Sequence, residues 1–371
     1  MLEPKEISRY TRQISLAEIG LQGQIKLKQA KVLVVGAGGL GCPVLQYLSA
    51  AGIGTLAIVD GDIVSQSNLA RQILFNQNDI GKNKAQTAQE KISLLNPYTQ
   101  LIVFPQYLNV SLALTIFRDF DLVLDCTDNF AARYLINDVC VLYKIPFISA
   151  AISQQEGQLA FFNMPINEGN YSANYRDVYP EFPNGKVHLN CEEAGVLSTL
   201  PGIMALYQSN EALKYFLNKK QCLVNTLFFI NPWNMEHFQI NIESSSHIKL
   251  TREEIEKYQY EYSCTSKTKV RNISLEESEK YKNALWIDVR EKHENPFFIE
   301  GKCYSFPLSE LEGKLNELQD KDTLFFFCES GKRSAEAAAL VKEKYPEKEI
   351  HNLLASAQQI KNTIYATTYS L

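Results

Sequence analysis

The chain has 371 residues, 45% hydrophobic and 21% charged, with a formal net charge of −5. That length exceeds one comfortable core and predicts two domains or three. The mild acidity and the lack of a long Lys/Arg run give no electrostatic case for nucleic acid, and no apolar stretch approaches the roughly 20 residues of a membrane-spanning helix.

The opening residues, MLEPKEISRYTRQ, are charged and lack the apolar run of a secretory signal, so a cytoplasmic protein is expected. Eight cysteines, at 42, 126, 140, 191, 222, 264, 303 and 328, contain no C-x-x-C pair. That argues against a disulfide framework and a local zinc knuckle. Cys42, Cys126 and Cys140 lie in apolar runs and read as small buried hydrophobes. Cys191 and Cys328 lie in polar, turn-like contexts.

In chain order, residues 1–30 read as a helical lead-in and Lys31–Val35 as a buried strand closed by Gly36. A helix over 40–51, a strand over 55–60, a helix over 82–95, a strand over 100–104 and a helix over 111–118 follow. A strand over 121–125, a helix over 130–143 and a strand over 146–150 complete the alternation. That alternation predicts an α/β fold with a Rossmann-like, doubly wound, mostly parallel sheet. From 157 the pattern changes to a strand over 157–163, an irregular stretch over 167–190, a helix over 201–217 and strands over 224–230 and 236–242. The first domain is placed at 1–243. A polar linker over 244–272 contains a possible capping box at Thr251–Glu254. A smaller α/β domain occupies 273–371, with strands over 285–288 and 323–327 and helices over 308–318 and 333–345.

Gly36, Gly38, Gly39 and Gly41 form G-x-G-x-x-G between a strand and a helix, where backbone N–H groups can approach a phosphate. Asp60 ends the next strand, 19 residues after Gly41, and can accept from ribose hydroxyls. NAD and ATP both fit that loop. Asp62, Ser67, Asn68, Arg71, Gln72, Lys82 and Lys84 add cationic and polar groups beyond the ribose position, which a triphosphate needs and hydride transfer does not. Asp128 and Asn129 follow another strand, and Asp128 is suited to hold Mg²⁺ against phosphate oxygens.

The motifs Arg9–Gln13, GAGGLG at 36–41, Asp60-Gly-Asp62, SNLARQ at 67–72, Lys84, DCTDN at 125–129 and Cys191–Gly195 occur in one order over two thirds of the chain. Together they resemble the ThiF/MoeB/HesA family of ubiquitin-activating-type adenylyltransferases. The resemblance implies attack of a ubiquitin-like carrier's C-terminal glycine carboxylate on the α-phosphate of ATP. It implies Asp60 on the ribose, Asn68, Arg71, Gln72 and Lys84 on the phosphates, and Asp128 on Mg²⁺. It also implies a homodimer in which Arg12 reaches the partner subunit's nucleotide. Many members hold a zinc with two C-x-x-C pairs. Here those regions read Asn174–Asp177 and Tyr262–Thr265, with one cysteine between them, so no zinc is expected and other packing must hold 167–190. Cys191 can form a covalent link in such proteins. Its flanking acids, Glu192 and Glu193, would raise a thiol pKa, and the chemical and structural readings stay open.

Cys328, Glu329, Ser330, Gly331, Lys332 and Arg333 form a small loop between a strand and a helix. Inward N–H groups there make an anion cradle, which predicts a reactive Cys328 thiolate. Only four residues separate Cys328 from Arg333, one fewer than a C-x-x-x-x-x-R phosphatase loop, and the smaller loop suits a persulfide. Trp286–Glu291, Pro307–Leu311 and the Cys328 loop resemble a rhodanese domain, although Asn352–Ala357 replaces its usual glycine-rich segment. The two halves together imply an adenylyltransferase with sulfurtransferase activity. A Cys328 persulfide, charged by a donor such as a cysteine desulfurase, would attack the acyl-adenylate and leave a thiocarboxylate on the carrier. Thiamine, molybdopterin and thiolated tRNA are the possible destinations, and the linker would let the rhodanese domain swing. Two alternatives remain: adenylation with the rhodanese domain as a docking module, and a nicotinamide-dependent oxidoreductase.

Overall fold

Lys31–Val35 forms β1, whose side chains alternate between two cores: Val32 and Val34 face one, Leu33 and Val35 the other. A strand buried on both faces needs helices on both sides, and this one has them. In this computed structural model the chain divides into two units, Met1–Glu261 and Tyr262–Leu371. Residues 2–181, 195–244, 250–258, 260, 270–278, 280–281, 284–292, 294, 303–318, 322–329, 331–357 and 359–360 are described.

In the first unit, β2 (Thr55–Val59), β3 (Gln100–Phe104), β4 (Leu122–Asp125) and β5 (Phe147–Ser153) join β1 in parallel, in the order β5-β4-β1-β2-β3. The strand order reverses between β1 and β4, so a crevice opens beyond their C-terminal ends, where ligands bind in open α/β sheets. Helices α1 (Pro4–Ile14) and α2 (Gly20–Gln29) form the lead-in. Helices α3 (Gly41–Ala50) and α4 (Lys84–Leu95) send Leu45, Leu48, Ala88 and Ile92 to one face of the sheet. Helices α5 (Val110–Ile116) and α6 (Phe130–Tyr143) send Leu112, Ile136 and Val139 to the other.

The change of pattern after 157 is not a new layer. β6 (Glu156–Phe162), β9 (Thr226–Asn231) and β10 (Glu236–Asn241) extend the same sheet antiparallel from β5, giving eight strands. A hairpin of β7 (Pro165–Asn167) and β8 (Asn170–Tyr171) leads into a short α7 (Tyr175–Val178). Helix α8 (Leu200–Leu217) packs Leu200, Met204 and Ala205 into the first core.

The segment read as linker is partly built into this unit. Thr251 caps α9 (Arg252–Lys257) by the expected capping box, and Ile255 and Tyr260 are buried in the second core. The reason is a polar cluster. Arg176 on α7 makes two bonds of 2.7 Å, through Nε and Nη2, to the carboxylate of fully buried Asp138 on α6. Tyr260 donates its hydroxyl to the same carboxylate at 2.6 Å. The Arg176 guanidinium lies over the rings of Tyr134 and Tyr258, 4.8 and 5.0 Å from their centroids. Burial, then the Asp138 charge, push the Tyr260 phenol pKa well up, so it remains a donor. This cluster ties α7 to Tyr258 and Tyr260. It is one packing element of the stretch over 167–190, of which 182–190 lie outside the described residues, as does Cys264.

In the second unit β11 (Arg271–Ile273), β12 (Leu285–Asp288), β13 (Cys303–Ser305), β14 (Thr323–Phe327) and β15 (Glu349–Leu353) form one parallel sheet, ordered β11-β15-β14-β12-β13. Leu324 and Phe326 face one core and Phe325 and Phe327 the other. Short α10 (Leu275–Ser278), α11 (Leu308–Lys314) and α12 (Lys332–Lys344) accompany it. No described helix is long and apolar enough to cross a membrane.

Removing one partner of a buried ion pair leaves an uncompensated charge, at a cost of about 3–5 kcal/mol. Arg176→Ala should therefore lower the urea unfolding free energy of the first unit by about that much. A loss below about 1 kcal/mol would show that Asp138 finds another partner.

Candidate active sites

The glycine loop closes on the loop after β4. Gly36 has φ +96°, and a Cβ there would lie 2.6 Å from the Cys126 carbonyl oxygen. A Cβ on Gly41 would lie 1.9 Å from the Gly36 carbonyl oxygen. Neither position admits a side chain. Gly38 faces Gln72 and Gly39 faces Pro201 at the start of α8.

Asp60 sits at the end of β2 with both oxygens engaged by backbone: Oδ2 accepts from Ala37 N at 2.7 Å and Oδ1 from Asp62 N at 2.8 Å. Burial raises its pKa, opposed by those N–H groups and the Lys84 charge. Lys84 opens α4, capped by Asn83, and its ammonium is almost wholly buried against Asp62 Oδ2 at 3.1 Å. Asp62 Oδ1 accepts from Tyr107 Oη at 2.5 Å, and that bond raises the Tyr107 pKa to about 12. Tyr107 also packs its ring against Gly61. Neither contact of Tyr107 was legible in the sequence, because no spacing links a residue beyond β3 to the Asp60–Asp62 turn.

Gln72 is 3% exposed and its Oε1 has no hydrogen-bond partner among the described residues. Asn68 is buried, its Oδ1 accepting from Ser65 N, which leaves its amino end to donate. Arg71 donates to the Ser67 carbonyl at 3.2 Å, and Ser67 is exposed. Lys82 turns away to Asp79.

After β4, fully buried Asp125 organises the loop. It accepts from Thr127 N and Oγ1, from Arg133 Nε and from Ser149 Oγ. Asn129 caps α6 through Oδ1, a structural duty beside its expected role. Asp128 is exposed and has no hydrogen-bond or ion-pair partner among the described residues. The same holds for Arg12, in the last turn of α1. Cys191 lies outside the described residues. Among those described, no cluster of three or more His, Cys, Asp or Glu residues could hold a metal.

In the second unit Cys328 follows β14 and is fully buried, which an exposed loop thiol would not be. Its Sγ accepts from Gly331 N at 3.1 Å and lies 3.3 Å from Ser334 Oγ. Gly331, at φ +79°, immediately precedes α12. Arg333 is held by Glu294 through two bonds, 2.6 and 3.0 Å, and that pairing lowers the Glu294 pKa. Arg290 pairs in the same way with Asp288. Glu329 is exposed, and Ser330 and the Lys332 side chain lie outside the described residues.

Comparison with known proteins identifies the family. The ThiF family model matches residues 10–250. A probable adenylyltransferase/sulfurtransferase MoeZ of Mycobacterium tuberculosis is 35% identical over 97% of this chain and 95% of its own. A sulfur carrier protein adenylyltransferase of Thermus thermophilus is 45% identical over 57% of this chain and 79% of its own. Among solved structures, PaaA superposes with a TM-score of 0.55 at 26% identity, covering 65% of this chain and 75% of that one. A Rossmann-like sheet with its glycine loop at the strand-order reversal, and a relative matched nearly end to end, establish that this chain belongs to the ThiF family.

Proposed function

We propose that this chain uses ATP to adenylate the C-terminal glycine of a ubiquitin-like sulfur carrier protein and then transfers sulfur to it from a Cys328 persulfide. The observation that carries the first half is the chemistry around the β1/β4 crevice. A backbone cradle closed to any Cβ, an almost wholly buried ammonium at Lys84 and an exposed Asp128 carboxylate with no partner among the described residues lie in the segments that follow β1, β2 and β4. Hydride transfer has no use for the last two.

In this reading a carrier carboxylate oxygen attacks the α-phosphorus, the bond to the bridging oxygen breaks, and pyrophosphate leaves. Asp60 accepts from the ribose with the lone pairs its backbone bonds leave free. Asn68, Arg71 and Gln72 donate to phosphate oxygens, with Ser67 and Asn129 at the margins. Lys84 shares its ammonium between Asp62 and phosphate, offsetting charge that develops as pyrophosphate departs. Asp128 suits Mg²⁺, which binds through one or two carboxylates plus substrate phosphates and polarises the phosphoryl oxygens when bound. Arg12, exposed on α1 and without a partner among the described residues, is available to a partner subunit's nucleotide in a homodimer.

The second unit is read as rhodanese-like. The persulfide's terminal sulfur attacks the acyl carbon, a C–S bond forms and the C–O bond to AMP breaks. A second thiolate then attacks Cys328 Sγ and takes it into a disulfide, and the S–S electrons leave with the thiocarboxylate. Cys191 is the candidate second thiol, and a protein persulfide such as that of a cysteine desulfurase is the candidate donor. Thiazole or molybdopterin synthesis would consume the product. The full burial of Cys328 favours one other reading, in which the second unit only docks partners.

Carrier-dependent ATP–pyrophosphate exchange tests the first half. Wild type should exchange, and Asp128→Ala should lose at least about 100-fold, the scale of removing one electrostatic stabiliser. Unchanged exchange in the variant would remove Asp128 from the site. For the second half, Cys328→Ala should keep exchange while thiocarboxylate formation from a persulfide donor, followed by carrier mass, collapses. Persistent thiocarboxylate would leave the docking reading standing.

A further inference from the structure

Position 352 stands where a rhodanese-type chain is expected to turn into glycine-rich sequence, and here it carries an amide. Asn352, on β15, is 2% exposed. Its Nδ2 donates to the Gly331 carbonyl at 3.2 Å and to Asn272 Oδ1 at 2.9 Å, while its own Oδ1 has no partner among the described residues. Leaving a buried acceptor unpaired costs about 1–3 kcal/mol, which an apolar side chain would avoid. The amide is thus a poor choice for stability and a specific one for position.

What it holds is the residue whose N–H reaches the sulfur. Gly331 takes φ +79° between β14 and α12 and donates to Cys328 Sγ at 3.1 Å. Its carbonyl is fixed by Asn352, and Leu354 Cδ2 lies 3.3 Å from where a Cβ would stand. The register places Asn352 opposite Phe326 on β14 and Asn272 on β11, so the clamp is anchored in two strand pairings.

We propose that Asn352 is a positioning residue for sulfur transfer at Cys328: by clamping the Gly331 carbonyl it aims the Gly331 N–H at Sγ, where that N–H stabilises the thiolate and the persulfide anion. The proposal rests on the reading of Cys328 as the sulfur-carrying thiol. It gives the segment that replaces the glycines a function of its own.

The test uses the full chain with Asn352→Leu and Asn352→Asp, both of which remove the donor. Iodoacetamide alkylation of Cys328 at neutral pH, followed by peptide mass spectrometry, should slow about tenfold in each, the scale of one hydrogen bond to an anion. With glutathione persulfide as donor and cyanide as acceptor, kcat should fall by a similar factor with KM unchanged. Asn352→Leu removes one orphan acceptor and leaves the Gly331 carbonyl without its donor, so it should melt close to wild type, and carrier-dependent pyrophosphate exchange should be intact. Wild-type alkylation and kcat in either folded variant would overturn the proposal. Failure of both variants to fold would overturn it as well, by making Asn352 a folding residue. If wild-type Cys328 alkylates, slows in the variants and takes no sulfur from the persulfide, the clamp stands and the sulfur-transfer reading fails.

Discussion

The contact between Gly36 and the Cys126 carbonyl sets the rest of the first unit. β1 and β4 are adjacent strands, and Cys126 N donates to the Val35 carbonyl at 2.9 Å just before the chain leaves the sheet. With no Cβ at Gly36 the two loops that leave them can touch, and Gly36 N still donates to the Val59 carbonyl at 2.8 Å. Everything at the crevice hangs from that approach. Ala37 N is then presented to Asp60, and Gly39 meets Pro201. Gln208 on α8 closes the back by donating to the Asp125 and Ile148 carbonyls, each at 2.8 Å. A side chain at position 36 would separate β1 from β4 at the place where their ends open the crevice.

The polar cluster around Arg176 answers a different constraint. Short α7 and the chain beyond α9 bury Tyr175 and Tyr260 in one core and are joined by polar groups as well. In the family pattern two pairs of thiolates join those regions. Here a guanidinium lying over two tyrosine rings, with one carboxylate, links α7 to Tyr258 and Tyr260. A buried ion pair repays its desolvation only when the remaining lone pairs are met. Asp138 satisfies that condition, with Tyr260 on Oδ2 and the Asn137 amide on Oδ1 at 2.9 Å. A planar guanidinium also fixes orientation, as a metal does, since its two parallel bonds to a carboxylate tolerate little rotation.

Much of this was readable in advance. The parallel strands and the helices between them follow from apolar runs bounded by glycine and polar turns, and the nucleotide crevice follows from glycine spacing and the acid ending β2. What escaped shares a physical cause. Arg176 and Asp138 are 38 positions apart, and Tyr260 lies 122 from Asp138; no local pattern marks them before the fold brings them together. β9 joins the sheet by pairing with β6 and β10 by pairing with β9, which periodicity cannot specify. β11 and β13 are three residues long, too short for alternation to be seen. Asn129 and Asn68 reveal the opposite limit. Their motif positions were legible, but not that each spends its oxygen on a local cap and keeps only its amino end for a ligand.

The cysteines show why burial alone does not decide chemistry. Cys42, Cys126 and Cys140 are buried, as Cys328 is, and burial pushes the Cys42 thiol to about 12 and the other two well up. The first two act as donors, Cys42 to the Ala37 carbonyl and Cys126 to Gln208 Oε1, a pairing that requires the proton. Cys328 Sγ accepts from the Gly331 N–H and lies 3.3 Å from Ser334 Oγ, where either group can donate. Its surroundings are built from a left-handed glycine three residues past the cysteine and from the Asn352 amide that bonds the glycine's carbonyl. Burial is common to all four thiols, so the Cys328 site is set apart by the geometry of its loop and not by exposure.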